Sequence, residues 1–286
     1  MIKLLKAEFA RCFSGKVFWL IALFTLVTAS SFNFIKYITV KREHQTEVFN
    51  DSMLYIGLIS LGMIAAIFVA FHAGGEFDEG TVRNKLIAGN TKTGIYLCHL
   101  AVSSVAMAII QYLFFFTFYV CSYLFFGAFH HSFSVMMQIQ LIGVLGTVAV
   151  TAFMLMITMI VRSRTIAVTV CMTAAVIMFI IGVALINELE EHSMELMAME
   201  DIISPEKYAI LNKYSYVYGV DSESLSGAEL AVKEALYDGL FICQAFRFSS
   251  ERELPYHWEF MAVYNIAITL VTTLIGSVTF RRLDLK

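Results

Sequence analysis

From residue 93 to residue 161 the chain contains no Asp, Glu, Lys or Arg. A soluble fold cannot use so long a run without charge. It is also too long for a single bilayer crossing, which takes about 20 residues of helix at about 1.5 Å per residue. A hairpin of two spans satisfies both limits, with its turn around residues 127–132, where Gly127, His130, His131 and Ser132 interrupt the apolar run. The rest of the chain repeats the pattern: 59% of the 286 residues are hydrophobic and only 15% are charged. The expected fold class is therefore an all-α integral membrane protein, because a helix satisfies its own backbone hydrogen bonds where no water is present.

Six spans are expected, over residues 17–35, 52–73, 95–126, 136–161, 165–186 and 260–280, within one membrane domain covering 1–286. Residues 1–16 read as an amphipathic helix on the membrane surface. Ile2, Leu5, Phe9 and Phe13 form its apolar stripe, and Lys3, Lys6, Glu8 and Arg11 its polar face. The alternative, a signal-peptide flank, is disfavoured because the apolar run continues to Ile35, beyond the roughly 7–15 residues of a signal. Residues 187–259 form the one large polar region, expected to be helical and to lie outside the cytoplasm. The pattern Leu185, Leu189, His192, Leu196 and Met199 extends the fifth helix into it. Ser204-Pro205 and Ser226-Gly227-Ala228-Glu229 are helix starts, the latter ahead of a helix from Leu230 to Ala245.

Basic residues set the orientation, since loops rich in Lys and Arg remain cytoplasmic. With both ends inside, the cytoplasmic segments carry 12 bases and 5 acids, against 8 bases and 18 acids outside. Glu188, Glu190, Glu191, Glu195, Glu200 and Asp201 concentrate negative charge in the outer region, with Tyr214, Tyr216 and Tyr218 nearby. The bland reading is that these acids keep a long loop soluble; the sharper one is that they guide a cationic amphipathic peptide.

Signals for chemistry are few. The five cysteines are scattered without metal or disulfide spacing, and they read as small apolar residues. His72 and His99, near the cytoplasmic span ends, read as neutral, hydrogen-bonded imidazoles, and His130-His131 as a polar break, so no metal site is expected. Gly89-Asn90-Thr91-Lys92-Thr93 lacks the glycines of a phosphate loop, and no protease spacing occurs. No basic tract points to nucleic acid. The chain is not expected to be an enzyme or to bind a cofactor. Absence of ionisable groups in the spans also argues against an ion-coupled carrier, where a charge at the bilayer centre costs about 2.5–3.5 kcal/mol and is kept for a purpose.

The segment 74–92 carries more information. Asp78 and Glu79 stand at the start of an expected short helix, Glu79 and Arg83 form a four-residue pair on it, and Val82, Leu86 and Ile87 give it an apolar patch. Physically it is either a solvated connector or a docking helix. The run Glu76-Phe77-Asp78-Glu79-Gly80-Thr81-Val82-Arg83-Asn84-Lys85-Leu86-Ile87 resembles the first cytoplasmic loop of type-two ABC exporter permeases. The surface helix, six spans, large outer region and basic ending Phe280-Arg281-Arg282-Leu283-Asp284 are similar as well. The likeness is greatest to permeases without a fused ATPase, such as those of bacitracin and lantibiotic resistance and of toxin-peptide export.

That resemblance implies a coupling helix seated in a groove of a separate ABC ATPase present in two copies, with Glu76, Asp78, Glu79, Gly80, Thr81, Arg83, Asn84 and Lys85 at the interface. ATP and magnesium would be bound by the ATPase, not by this chain. A second copy of the chain, or a paralogous permease, would complete a path through the lipids of a bacterial cell membrane. Asn33, Gln111, Thr117 and Tyr119 are uncharged polar or aromatic candidates for its lining. The expected function is ATP-driven export of an amphipathic or antimicrobial peptide, or of a similar hydrophobic compound. The alternatives are a non-transporting immunity or peptide-sequestering protein and, more weakly, a secondary carrier.

Overall fold

A computed structural model describes residues 2–43, 54–127, 129, 132–198, 235–250 and 258–283. Among them the fold is all α, with six helices long and apolar enough to cross a membrane. Helix α1 (Ile2–Ser14) is followed after Gly15 by α2 (Lys16–Glu43) and then α3 (Ile56–His72). Two short helices, α4 (Gly75–Asp78) and α5 (Thr81–Ile87), lead into α6 (Lys92–Phe126), α7 (Phe133–Val161) and α8 (Arg164–Ala198). After residues that are not described come α9 (Phe241–Ser250) and α10 (Trp258–Arg282).

The expected hairpin turn falls between α6 and α7, and polar caps hold the helix starts. Thr91 Oγ1 accepts a hydrogen bond from Gly94 N at 3.1 Å, and Ser132 Oγ from Val135 N at 3.4 Å. The Gly-Asn-Thr-Lys run that faintly matches a phosphate loop is thus the capped start of α6. Helix α2 runs eight residues beyond the expected span end at Ile35, and α8 extends past Ile186 to Ala198, as its apolar pattern implies.

Helices α3 and α7 are the inner members of the bundle. Helix α3 packs against α2, α6, α7, α8 and α9, and α7 against α3, α6, α8, α9 and α10. Leu58, Phe68, Val69, Met107, Phe115, Met154 and Leu155 fill the space between them. Outward-facing Leu20, Leu23 and Phe24 of α2, Ile177 and Ile180 of α8, and Val263 and Leu274 of α10 are exposed, a surface suited to lipid.

One end of the bundle gathers segments from the whole chain and is called the basic end here. Arg11 of α1 donates to the His72 carbonyl at 3.1 Å, Asp78 meets Arg164 at 3.3 Å, and Lys92 Nζ donates to the Arg281 and Leu283 carbonyls at 3.3 and 2.5 Å. The two described ends of the chain therefore lie together, as an even number of crossings requires.

Helix α9 departs from the sequence reading. The expected helix from Leu230 to Ala245 is interrupted at Leu240, and residues 241–250 form a separate helix inside the bundle rather than on a polar surface. Phe241, Ile242, Cys243, Ala245 and Phe248 are buried against α3, α7 and α8. At ten residues, α9 is too short to span. Two glycines admit it: a Cβ at Gly146 would overlap the Phe241 ring, and one at Gly182 would overlap Ile242. Ser204-Pro205, Ser226 to Glu229 and Tyr214, Tyr216 and Tyr218 lie outside the described residues, as do His130 and His131.

Candidate functional site

A cluster of six ionisable side chains occupies the interior of the basic end. Helix α1 supplies Glu8 and Arg11, α3 ends on His72, α4 carries Glu76, α5 carries Lys85, and His99 sits two turns into α6. On its own amphipathic pattern α1 places Glu8 on the polar face, but the structure turns Glu8 inward, where only 2% of it is exposed. The reason lies in its partners. Lys85 Nζ pairs with Glu8 Oε1 and with Glu76 Oε1, Arg11 Nη1 pairs with Glu76 Oε1, and Arg11 Nη2 lies 2.9 Å from Glu8 Oε2. Glu76 is fully buried and its Oε2 accepts from His99 Nε2 at 2.9 Å.

Two carboxylates and two cations so close together are formally neutral as a group. That is the condition under which charges tolerate removal from water, since each alone would cost several kcal/mol. The cluster ties α1 to the segment between α3 and α6, and backbone bonds complete it. Thr81 Oγ1 donates to the Glu76 carbonyl at 3.3 Å, and Asn90 Nδ2 to the Lys85 carbonyl at 3.0 Å. Cys12, one turn along α1, packs beside the cluster, and burial pushes its thiol up to about 11 against the opposing pull of Arg11.

The eight residues expected at a docking interface fall into three groups. Glu76, Thr81 and Lys85 face inward and hold the segment to the bundle. Glu79, Gly80, Arg83 and Asn84 are exposed, with Ile87 beyond them at 77% exposure. Asp78 reaches sideways to Arg164. The expected single helix with Asp78 and Glu79 at its start is two short helices. Gly80 adopts φ +68°, a left-handed conformation that glycine takes without a Cβ penalty, and it separates Glu79, the C-cap of α4, from Arg83 on α5. The four-residue helical pair between Glu79 and Arg83 is thereby excluded. Of the expected apolar patch, Val82 is buried and Ile87 is exposed.

Of the four candidate path residues, Asn33 and Gln111 are buried within the chain, and Thr117 and Tyr119 are half-buried. Gln111 bonds α7 through the Gln140 carbonyl at 3.1 Å, Gln140 Oε1 at 3.0 Å and Thr147 Oγ1 at 2.7 Å. Asn33 donates to Ala29 O at 3.0 Å, Thr117 to Leu113 O at 2.7 Å, and Tyr119 stacks on Phe129 with ring centroids 4.8 Å apart. A cavity of about 270 Å³ opens elsewhere, beside α9, where Ala149, Phe153, Met178, Leu240, Asn265 and Ile268 line it. In the outer acidic run, Glu188, Glu190, Glu191 and Glu195 fall on the backbone of α8 without described side chains, and Glu200 and Asp201 lie outside the described residues.

Two groupings were not anticipated from sequence. Arg247 and Asp238 form a buried ion pair at 3.0 Å, beside which Gln244 and Asn265 exchange amide hydrogen bonds of 2.9 and 3.3 Å. The second is Glu8, His72 and His99, which each bring one potential metal-ligand atom to within 4.8 Å of the others. No local spacing links residues that far apart; the pairing of α1 with α6 creates it. No family model matches the chain, and no curated protein matches it either.

Proposed function

We propose that this chain is the membrane subunit of an ATP-driven exporter, working with a separate ABC-type ATPase and a second permease copy or a paralogue in a bacterial cell membrane. The observation that carries the reading is the mounting of α5. Its inner face, through Lys85 and Val82, is fixed to the buried cluster, while Arg83, Asn84 and Ile87 project outward. A short helix so fixed moves with α1, α3 and α6 as one body, which is what a rigid-body push from a nucleotide-driven partner requires. Both termini and α5 are placed on the cytoplasmic side in this reading, in accord with the excess of bases there. ATP and magnesium belong to the partner. The cargo class that fits is an amphipathic or antimicrobial peptide, or a comparable hydrophobic compound.

The test is reconstitution of the chain with candidate ABC-type ATPase subunits in lipid nanodiscs. Stable co-purification and a rise in ATP hydrolysis on adding a cationic amphipathic peptide are expected. An ATPase that neither binds the chain nor responds to it, with peptide tolerance of cells nonetheless dependent on the chain, would favour sequestration over transport.

A further inference from the structure

We propose that Glu8, His72 and His99 form a binding site for a divalent metal ion of the zinc type at the basic end of the bundle. The argument begins with tautomers. His99 Nε2 lies 2.9 Å from Glu76 Oε2, and a carboxylate in that position accepts, which places the ring proton on Nε2 and leaves a bare lone pair on Nδ1. That lone pair points into the cluster, 4.0 Å from Glu8 Oε2. His99 Nδ1 and His72 Nε2 are buried without a hydrogen bond, and Glu8 Oε2 is buried against the Arg11 guanidinium. Among the described residues, Arg11 Nη2 is the cation close to Glu8 Oε2, at 2.9 Å. Buried polar atoms without partners are rare and costly, and here two imidazole nitrogens from different helices converge on one buried carboxylate oxygen.

Two imidazoles and one carboxylate are an ordinary zinc ligand set, with metal–nitrogen bonds of about 2.0–2.1 Å. Ligand atoms now within 4.8 Å of one another close to the edges of such a polyhedron by side-chain movements of about 1 Å. The Glu76–His99 bond is the outer-shell contact that orients metal-bound histidines and raises their basicity. Charge is the obstacle, because Arg11 and Lys85 already balance Glu8 and Glu76. Arg11 resolves it: with its side chain 33% exposed, against 16% for Lys85, it is the cation able to swing to water when the ion takes its place on Glu8 Oε2. Metal and the Arg11 guanidinium therefore compete for Glu8 Oε2, and occupancy loosens the tie of Arg11 on α1 to Glu76 on α4. The site does not depend on the exporter reading.

Zinc titration of the purified full chain in detergent, by competition with a chromophoric chelator, tests this. One tight equivalent is expected, and cobalt in its place should give the intense visible bands of a low-coordinate site. His72→Gln and His99→Gln should each weaken binding at least ~100-fold, and Glu76→Gln by ~10–100-fold, as outer-shell changes do. Arg11→Gln should tighten it, and His130→Ala with His131→Ala should leave it unchanged. Wild-type protein that binds no equivalent overturns the proposal. So does binding that survives both His72→Gln and His99→Gln, or that is lost with His130 and His131.

Discussion

Glu8 of the first helix and Lys85 of the fifth form an ion pair in which the carboxylate is almost completely buried. The pair crosses from the N-terminal helix to the segment that follows α3, so the surface helix is part of the bundle's internal electrostatics rather than a float on its margin.

Lys85→Met should destabilise the chain by about 3–5 kcal/mol, since it leaves Glu8 and Glu76 short of a cation in a buried setting. Adding Glu8→Gln to that variant should restore part of the loss. Thermal unfolding in detergent of the two single variants and the double variant measures the coupling. Strict additivity would mean that the two side chains do not interact.

Arg83 projects outward, so Arg83→Glu should alter stability by no more than about 0.5 kcal/mol. Under the exporter reading it should sharply reduce stimulation of the partner ATPase. Thr81→Ala, which removes only an inward bond to the Glu76 carbonyl, should leave that stimulation intact unless the segment unfolds. An Arg83→Glu variant with full stimulation would make α5 a connector.

Cysteine labelling checks the orientation. With its pKa raised to about 11, buried Cys12 carries little thiolate at pH 7–8 and should stay unreactive in the native chain. Its labelling should rise only as pH approaches that value. Arg83→Cys, at an exposed position, should label rapidly in permeabilised cells and be protected from impermeant reagents in intact ones. Labelling from outside intact cells would reverse the proposed sidedness.

Gly182→Val should cost about 1–3 kcal/mol, because the new side chain meets Ile242. Ile242→Ala in the same chain should recover much of that loss by vacating the space. Failure of the size swap to compensate, in melting temperature and in monodispersity, would argue against the docked position of α9.

The long charge-free run and the flanking polar breaks made the six long helices readable, because bilayer thickness imposes one length scale on every span. Helix ends were readable where a cap residue is local, as at Thr91 and Ser132. The charge cluster was not. Glu8 looked like a surface residue because helical periodicity reports only which face is polar, not whether a distant Lys85 and Arg11 will follow that face into the interior. Helix α9 was hidden for a similar reason. Its segment lies within a polar region, and the glycines that admit it, Gly146 and Gly182, are on other helices. For Arg247, the signal was a base on an otherwise largely apolar segment, with its counterion Asp238 before the break at Leu240.

Helix α9 also fixes an order of assembly. Its packing partners on α3, α7 and α8 emerge from the ribosome long before it does, and contacts between segments so far apart in the chain are the slow ones to form. Until residues 241–250 arrive, the spaces opposite Gly146 and Gly182 have nothing to fill them. The bundle is thus completed from within by one of its last-made pieces, and a ribosome that stalls before that point leaves behind a membrane-inserted but unfinished chain, with the groove that α9 should occupy still open to lipid or to another protein.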